Sequence, residues 1–238
     1  MISRRLFLEL AGTAAVTHVV FPLHAMGESV PATLDHILLG CSDLDKGIAF
    51  VEEKTGVRAA FGGVHPGRGT QNALLSLGEH RYLEIIAPDP KQTSVQQYSV
   101  IKDLATPRLI GWAVHPGDIE ALGKRLRDSG VANEGPRSGS RARPDGRVLH
   151  WKALGLADDR HGLLPFFIQW SADSVHPSAD APAGCRLEHF GLVSPDPGEL
   201  TKTLQRFGID APIERGEKNQ LRGLISGPKA TLVLPPEL

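Results

Sequence analysis

Hydrophobic and polar residues follow one arrangement that repeats three times along the chain. In each repeat, a short, mostly apolar run reaches an Asp, and a stretch with apolar residues at helical spacing follows. This arrangement predicts a buried strand followed by an amphipathic helix. We therefore expect three strand–helix pairs, which cover 33–41 with 45–55, 108–115 with 118–129, and 186–193 with 197–207.

The predicted helices have clear start and stop signals. An Asp before each helix can accept hydrogen bonds from the free N–H groups of the first turn, and a Gly after it tolerates the left-handed conformation that ends a helix. The intervals between the Asp residues are nearly equal, so the repeating unit is a whole supersecondary module. The paired signals are Asp43 and Gly56, Asp118 and Gly130, and Asp196 and Gly208.

Short apolar runs follow each helix and predict two or three further strands in every module. The result is an α+β fold built from repeated strand–helix–strands units. Polar, irregular stretches between these runs predict linkers at 88–106, 133–147, 155–163 and 171–184. The further strands are expected at 58–63, 72–77 and 81–87, then at 148–154 and 164–170, and finally at 221–226 and 230–234.

The composition is that of an ordinary folded domain. Of the 238 residues, 41% are hydrophobic and 22% charged, and the formal net charge is -1. A nearly neutral chain gives no reason to expect a nucleic acid or an anionic membrane surface as a partner. Cys41 and Cys185 cannot build a disulfide framework, although they could form either one bridge or two free thiols.

The N-terminus has the features of an export signal. Residues 3–9, Ser-Arg-Arg-Leu-Phe-Leu-Glu, resemble the twin-arginine signal of bacteria, except that Glu9 departs from the pattern. A short apolar run follows, too short to span a bilayer, and Ala25-Met26-Gly27 offers small residues for cleavage. We therefore expect 1–27 to be a removable signal and the protein to be periplasmic or secreted. The alternative is a cytoplasmic protein with an amphipathic N-terminal helix.

Two polar residues interrupt the predicted strands of the first module. His36 stands where a core strand would carry Val or Ile, and His189 occupies the matching place in the third module. Glu84 lies between Leu83 and Ile85, so it faces the side of its strand opposite to theirs. Each residue has two interpretations: His36 is a core histidine or a functional group, and Glu84 lines a site or faces solvent.

Four stretches stand in a characteristic order: Leu34-Asp35-His36, the Gly-rich segment 62–72, Tyr82-Leu83-Glu84-Ile85, and 164–170. Together they resemble the vicinal oxygen chelate superfamily, and among its members the glyoxalase-like domain proteins of bacteria. The resemblance implies paired βαβββ modules whose curved mixed sheets form a cup. It assigns 30–178 to this paired unit and leaves 185–238 as a third, shorter module packed on the same domain.

The resemblance also implies a divalent metal ion inside the cup. Its ligands come from the first and last strands of each paired module, which carries the ligand role to His36, Glu84 and Gln169. The fourth position falls near Gly111, which cannot coordinate, so His65 or His189 would have to complete the set. Imidazole and carboxylate ligands suit Zn, Ni, Mn or Fe(II), whose identity stays open.

Three more residues are candidates for substrate contact. Asn72 either binds substrate or fixes the Gly-rich segment by bonds to the backbone. Arg141 and Arg143 belong to a basic cluster at 137–147, which is either a solvated loop or a flap whose arginines pair with a substrate carboxylate or phosphate.

Two functions are consistent with these residues. The first is a metal-dependent enzyme, with His36 and Glu84 as catalytic residues, that performs lyase, isomerase or dioxygenase chemistry on a small oxygenated substrate. The second is a non-catalytic protein of the same fold that binds or sequesters a small molecule; a structural protein with a decayed site is a third interpretation. Dimerisation of two copies stays open, and no nucleic acid or stable membrane insertion is expected.

Overall fold

The computed structural model describes residues 30–92, 99–143 and 145–235. The proposed export signal at 1–27 lies outside these ranges. No helix within the described ranges is long and apolar enough to cross a membrane.

The first module has the βαβββ order expected from the sequence. It contains β1 (Leu34–Gly40), α1 (Leu44–Thr55), β2 (Ala60–His65), β3 (Thr70–Ser76) and β4 (Tyr82–Pro88). The cap predicted for α1 is present, because the carboxylate of the residue before it accepts a hydrogen bond from the backbone at the third helical position, and a left-handed Gly ends the helix.

The second module repeats this order with one strand that was not predicted. It contains β5 (Arg108–Val114), α2 (Ile119–Asp128), β6 (Arg137–Ala142), β7 (Val148–Leu154) and β8 (Phe166–Trp170). The prediction of a linker over the whole of 133–147 is therefore wrong. Strand β6 is polar on both faces and shows no alternation, so its position depends on backbone pairing with β7, which no sequence pattern reports.

The third module is also a βαβββ unit. It contains β9 (Arg186–Ser194), α3 (Pro197–Phe207), β10 (Ile213–Arg215), β11 (Gln220–Ser226) and β12 (Thr231–Leu234). The short strand β10 was missing from the prediction, whereas the bounds of α3 match it.

The first two modules share one sheet that curves into a nearly closed cup. Its strand order is β2-β3-β4-β1-β5-β8-β7-β6, with β1 and β5 joining the modules in antiparallel fashion. The edge strands β2 and β6 approach each other without pairing. We call this meeting of the two edges the seam. The fold class predicted from the sequence is confirmed, and the modules that pair are the first and the second.

The third module forms a separate four-stranded sheet in the order β10-β9-β11-β12. It shares the main hydrophobic core with the cup. The rings of Trp112 and Phe190 lie 5.2 Å apart between β5 and β9, and those of Phe167 and Phe207 lie 6.0 Å apart between β8 and α3. Cys41 and Cys185 are both buried free thiols, which excludes the disulfide that the sequence left open.

Candidate active site

The cup contains a cavity of about 710 Å³ that both paired modules line. One part of its wall is polar and comes mainly from β1, β2, β3, β4 and β6. The other part is apolar and comes mainly from β1, β4, β5 and β8. The polar residues used below are His36, His65, Asn72, Glu84 and Arg141, and the apolar ones are Leu38, Ile86, Ile110, Phe166 and Ile168.

Strand alternation explains which side chains enter the cavity. On β4, Glu84 faces the cavity while Leu83 and Ile85 belong to the main core, as the sequence predicted for this strand. On β1, His36 faces the cavity and Ile37 faces the core in the same way. The cavity therefore receives one imidazole and one carboxylate from the neighbouring parallel strands β1 and β4.

A buried carboxylate holds His36 in place. Asp35 Oδ1 lies 2.7 Å from His36 Nδ1, and both residues are 2% exposed. Adjacent residues on a strand ordinarily face opposite sides, but the pairing of β1 with β5 shifts its register between Leu34 and His36. A bulge of this kind redirects side chains, which explains how neighbours in sequence can bond to each other.

Asp35 is itself surrounded by donors. His176 Nε2 lies 3.2 Å and Trp170 Nε1 3.1 Å from its second oxygen, Oδ2. Burial raises the pKa of Asp35, but the hydrogen bonds and charges of His176 and His36 more than offset that effect, so the pKa falls well below its ordinary value. An ionised Asp35 can only accept hydrogen bonds, which places a ring N–H of His36 at Nδ1. When the ring carries a single proton, Nε2 is therefore an acceptor.

The free nitrogen of His36 faces Glu84. The distance from His36 Nε2 to Glu84 Oε2 is 3.5 Å, and the other oxygen, Oε1, accepts a hydrogen bond of 2.7 Å from Asn72 Nδ2. Burial raises the pKa of Glu84, but two imidazoles, the Asn72 amide and a nearby guanidinium together lower it below its usual value. Glu84 is therefore an ionised carboxylate at neutral pH, even though the residue is buried and only 8% exposed.

His65 reaches the same carboxylate from β2. Its Nδ1 lies 2.9 Å from Thr70 Oγ1, and its Nε2 lies 3.7 Å from Glu84 Oε1. Burial is the main cause that lowers the pKa of His65, with opposition from Glu84.

Arg141 closes the polar wall from the far side of the seam. Its Nη1 donates a hydrogen bond of 2.9 Å to Asn72 Oδ1, so the edge strand β6 is tied to β3 through two side chains. Gly62 on β2 provides the space for this contact, because a Cβ there would lie 2.5 Å from Asn72 Oδ1 and 2.7 Å from Arg141 Nη1.

A family model for the glyoxalase-like domain matches residues 34–208 of this sequence. The chain belongs to the glyoxalase-like domain family. Its fold, with paired βαβββ modules around a cup, is that of the vicinal oxygen chelate superfamily. No curated protein is similar enough in sequence to count as a match.

A solved structure of another protein has the same fold as this glyoxalase-like chain. A hypothetical protein from Staphylococcus aureus is 17% identical and has a TM-score of 0.64, with 86% of this chain and 99% of that chain covered. A methylmalonyl-CoA epimerase in complex with methylmalonyl-CoA and NH4+ is 22% identical, with a TM-score of 0.45 and coverage of 61% and 99%. The Streptomyces coelicolor epimerase in complex with 2-nitronate-propionyl-CoA is 21% identical, also with a TM-score of 0.45 and coverage of 61% and 99%. At 17% identity, the likeness to the Staphylococcus aureus protein shows a common fold and no more than that.

The glyoxalase-like site has suitable donor types for a divalent metal ion. In His36 and His65, Nδ1 contacts another side chain, so that both Nε2 atoms face Glu84, which is the orientation that metal-binding imidazoles adopt. They approach different oxygens of that carboxylate, however. Within the described residues, no group of three or more His, Cys, Asp or Glu is placed so that it could hold a metal ion. The donor types fit a metal, whereas their present positions do not form a ligand shell.

Three residues proposed from the sequence lie away from this site. Gln169 Oε1 accepts a hydrogen bond of 3.1 Å from the backbone N–H of Ile119, at the start of α2. Arg143 forms an ion pair of 2.7 Å with Asp180. His189 is buried in the separate sheet of the third module and does not line the cavity.

Asp35 and His176 were not identified from the sequence. Asp35 stands beside His36 in the matching stretch, but a strand pattern places adjacent side chains on opposite faces. His176 comes from the predicted linker 171–184, and only the folded chain brings it to Asp35.

Proposed function

We propose that this glyoxalase-like chain is an enzyme that moves a proton at a carbon next to a carbonyl group of a small oxygenated substrate. The observation that carries this proposal is the pair of contacts around His36. Asp35 holds its Nδ1 at 2.7 Å, so that Nε2 is an acceptor inside the cavity. An imidazole oriented by a buried carboxylate is a well-suited general base.

The proposed step needs only groups of this chain. His36 Nε2 accepts the proton from the carbon, and the electron pair of the broken C–H bond moves towards the substrate's carbonyl oxygen. The positive charge that forms on the ring is stabilised by Asp35 on one side and by Glu84 on the other. Return of the proton to the same carbon gives an epimerisation. In a substrate with a hydroxyl group on that carbon, the hydroxyl proton moves to the carbonyl oxygen, and return of the first proton to the former carbonyl carbon gives an isomerisation. Loss of a leaving group from the carbon on the other side of the reacting carbon gives a lyase reaction.

Aromatic rings fix the base in this position. His36 stacks on Tyr82 with ring centroids 4.4 Å apart, and the edge of Phe166 lies 5.4 Å from its centre. Burial raises the pKa of Tyr82 well above its ordinary value, so its hydroxyl stays neutral beside the base. The ring of His36 is therefore held by packing as well as by its hydrogen bond.

Solvent-deuterium incorporation tests the proposal. Small carbonyl compounds are incubated with the protein in D₂O, and NMR follows exchange at the carbon next to the carbonyl. His36→Ala is expected to lower exchange at least about 100-fold, in the range of general-base effects, whereas the exposed His115→Ala serves as the matched control and keeps the wild-type rate. Wild-type exchange by His36→Ala contradicts the proposal.

A metal-assisted form of the reaction is a second candidate. The observation in its favour is the approach of two imidazole Nε2 atoms to one carboxylate, at 3.5 and 3.7 Å. His36, His65 and Glu84 would hold the ion, which would stabilise negative charge on the substrate oxygen. Untagged protein is analysed for Zn, Ni, Mn and Fe, and its melting is followed with each added ion. Binding at 100 times Kd stabilises a fold by about 2.7 kcal/mol, and no change with any ion contradicts this form.

The non-catalytic alternative is distinguished by the same exchange experiment. A protein that only binds or sequesters its ligand shows no exchange in the wild type. His36→Ala leaves ligand affinity nearly unchanged in either case, so exchange is the measurement that separates the two functions. Gly111, which occupies the place of a family ligand on β5, supports this alternative because it brings no donor to the cavity.

We also propose that residues 1–27 direct export to the periplasm or beyond. The support is the paired arginines with their flanking Ser, Phe and Leu. Replacement of Arg4 and Arg5 by Lys is expected to retain the protein in the cytoplasm of a bacterial host, as cell fractionation would show. Periplasmic protein in spite of both replacements contradicts this assignment.

A further inference from the structure

We infer that Arg141 anchors the carboxylate of the substrate, and that the substrate is an amphipathic monocarboxylic acid whose apolar part lies against the apolar wall of the cavity. This inference names the substrate class of the site proposed above and so rests on that proposal for its chemistry. Binding of the substrate's carboxylate depends on Arg141 and not on His36, so binding and proton transfer are measured in separate experiments.

The first argument is the burial of Arg141 without a contacting carboxylate. The residue is only 6% exposed, and within the described residues its guanidinium forms no ion pair of 4.0 Å or less, although ionised Glu84 is near enough to act on it electrostatically. Its hydrogen bond in these ranges goes to a neutral amide, Asn72 Oδ1, and the residue lines the cavity. Because the guanidinium offers several N–H donors in a planar fork, it can bind an anion in the adjoining space.

The second argument is that the seam is built around this guanidinium. Gly62 and Gly63 leave room for it, because a Cβ on either residue would lie 2.7 or 3.1 Å from Arg141 Nη1. Asn72 uses its amide oxygen for Arg141 and its amide nitrogen for Glu84, so both ends of the amide are fixed. The guanidinium is therefore held in one position before any ligand arrives, which lowers the entropic cost of binding.

The number of charges selects a monoanion. Among the described residues that line the cavity, Arg141 is the one buried guanidinium, whereas Arg68 and Arg137 are exposed. A single guanidinium pairs with one carboxylate in bidentate fashion. A phosphate dianion would place a second negative charge beside Glu84 without a second buried cation to balance it. We therefore name a carboxylate and treat phosphate as the comparison ligand.

The apolar wall of the cavity indicates that the part of the substrate beyond its carboxylate is an alkyl or aryl group. Leu38, Ile86 and Ile110 form a hydrophobic cluster distinct from the main core, and Phe166 packs against it. These four side chains also line the cavity, together with Ile168. Burial of an alkyl or aryl group against this wall removes apolar surface of both partners from water.

The contacts along the polar wall indicate how the substrate lies relative to the base His36. Contacts of 2.9, 2.7 and 3.5 Å lead from Arg141 through Asn72 and Glu84 to His36 Nε2. Arg141 and His36 therefore belong to one connected polar wall of the cavity, and a substrate whose carboxylate binds Arg141 extends along this wall towards the base.

Binding of 3-phenylpropanoate, with its neutral counterpart 3-phenylpropanamide and inorganic phosphate as comparisons, tests the inference by calorimetry or ligand-observed NMR. We expect the acid to bind the wild type at least about tenfold more tightly than the amide, and phosphate to bind more weakly than the acid. Arg141→Met should remove the preference for the acid. Arg143→Met is the matched control, because Arg143 lies two residues away and pairs with Asp180 instead, and it should keep the preference.

Each possible result either supports or overturns the inference. Equal affinity for acid and amide, loss of the preference in Arg143→Met alone, tighter binding of phosphate, or no binding of the acid to the wild type overturns the inference. If Arg141→Met does not fold, Arg141→Gln is used; it removes the charge but keeps an amide N–H, and an unchanged preference for the acid in either variant overturns the inference. His36→Ala should bind the acid within about twofold of the wild type, so a failure of proton transfer is distinguishable from a failure of anchoring.

Discussion

Asp35 Oδ1 lies 2.7 Å from His36 Nδ1, although the two residues are neighbours on one strand. The bulge of β1 against β5 makes this contact compatible with a continuous sheet. It determines which nitrogen of His36 carries the proton and which one faces the cavity.

The first prediction concerns the tautomer of His36. In Asp35→Asn the amide can offer an N–H to His36 Nδ1, which moves the ring proton to Nε2 and removes the acceptor from the cavity. We expect proton-transfer activity to fall by roughly 100- to 10,000-fold, on the order of other losses of an imidazole-orienting carboxylate. The ¹⁵N shifts of the His36 ring should show the change of tautomer directly, and identical shifts in variant and wild type contradict it.

The second prediction concerns acid stability. The pKa of Asp35 is lowered in the folded protein, so the carboxylate stabilises the fold fully above its unfolded pKa of about 3.9, and this contribution is lost as pH falls towards the lower folded value. The free energy of unfolding of the wild type should therefore drop more steeply below about pH 5 than that of Asp35→Asn. Urea denaturation at several pH values measures both, with the exposed Asp173→Asn as control; equal slopes for all three proteins contradict this assignment.

The third prediction concerns the seam. Gly62→Ala places a methyl group against the Asn72 and Arg141 contact, which should cost about 1–3 kcal/mol of stability and weaken binding of a carboxylate ligand. Gly117→Ala adds the same group where no atom lies within 4 Å, and it should be close to neutral. Chemical denaturation of both variants checks the difference. A Gly62→Ala protein as stable as Gly117→Ala would show that the seam adjusts freely.

The fourth prediction concerns the third module. Phe190 is fully buried and contacts Trp112 of the cup, so Phe190→Ala should cost about 3–5 kcal/mol and destabilise both sheets together. Phe61→Ala, on an edge strand and 47% exposed, is the control and should cost much less. A single unfolding transition seen by calorimetry and by Trp fluorescence agrees with a common core. Separate transitions would contradict it.

The repeated module and its caps could be predicted because they depend on local physics. Apolar periodicity and capping residues are visible in sequence, and the carboxylates of Asp43, Asp118 and Asp196 cap helices as expected. Strand β6 escaped prediction because it is polar on both faces and is positioned by pairing with β7.

Parts of the site depend on long-range choices that the sequence leaves open. Glu84 and Gln169 both stand between apolar residues, yet the flanking residues of Glu84 face the core, whereas Ile168 and Trp170 beside Gln169 face the cavity. The alternation is the same, and only the fold decides the face. Arg141 and Arg143 were likewise equivalent in sequence, and the seam separates them because it buries the first against Asn72.

The most direct test of the account is a double-mutant cycle on solvent-deuterium exchange with wild type, Asp35→Asn, His36→Ala and the double variant. If Asp35 acts through His36, its replacement has no further effect once the imidazole is gone, and the double variant exchanges at the rate of His36→Ala. If the two losses multiply, or if His36→Ala exchanges as fast as the wild type, then His36 is not the base that Asp35 orients.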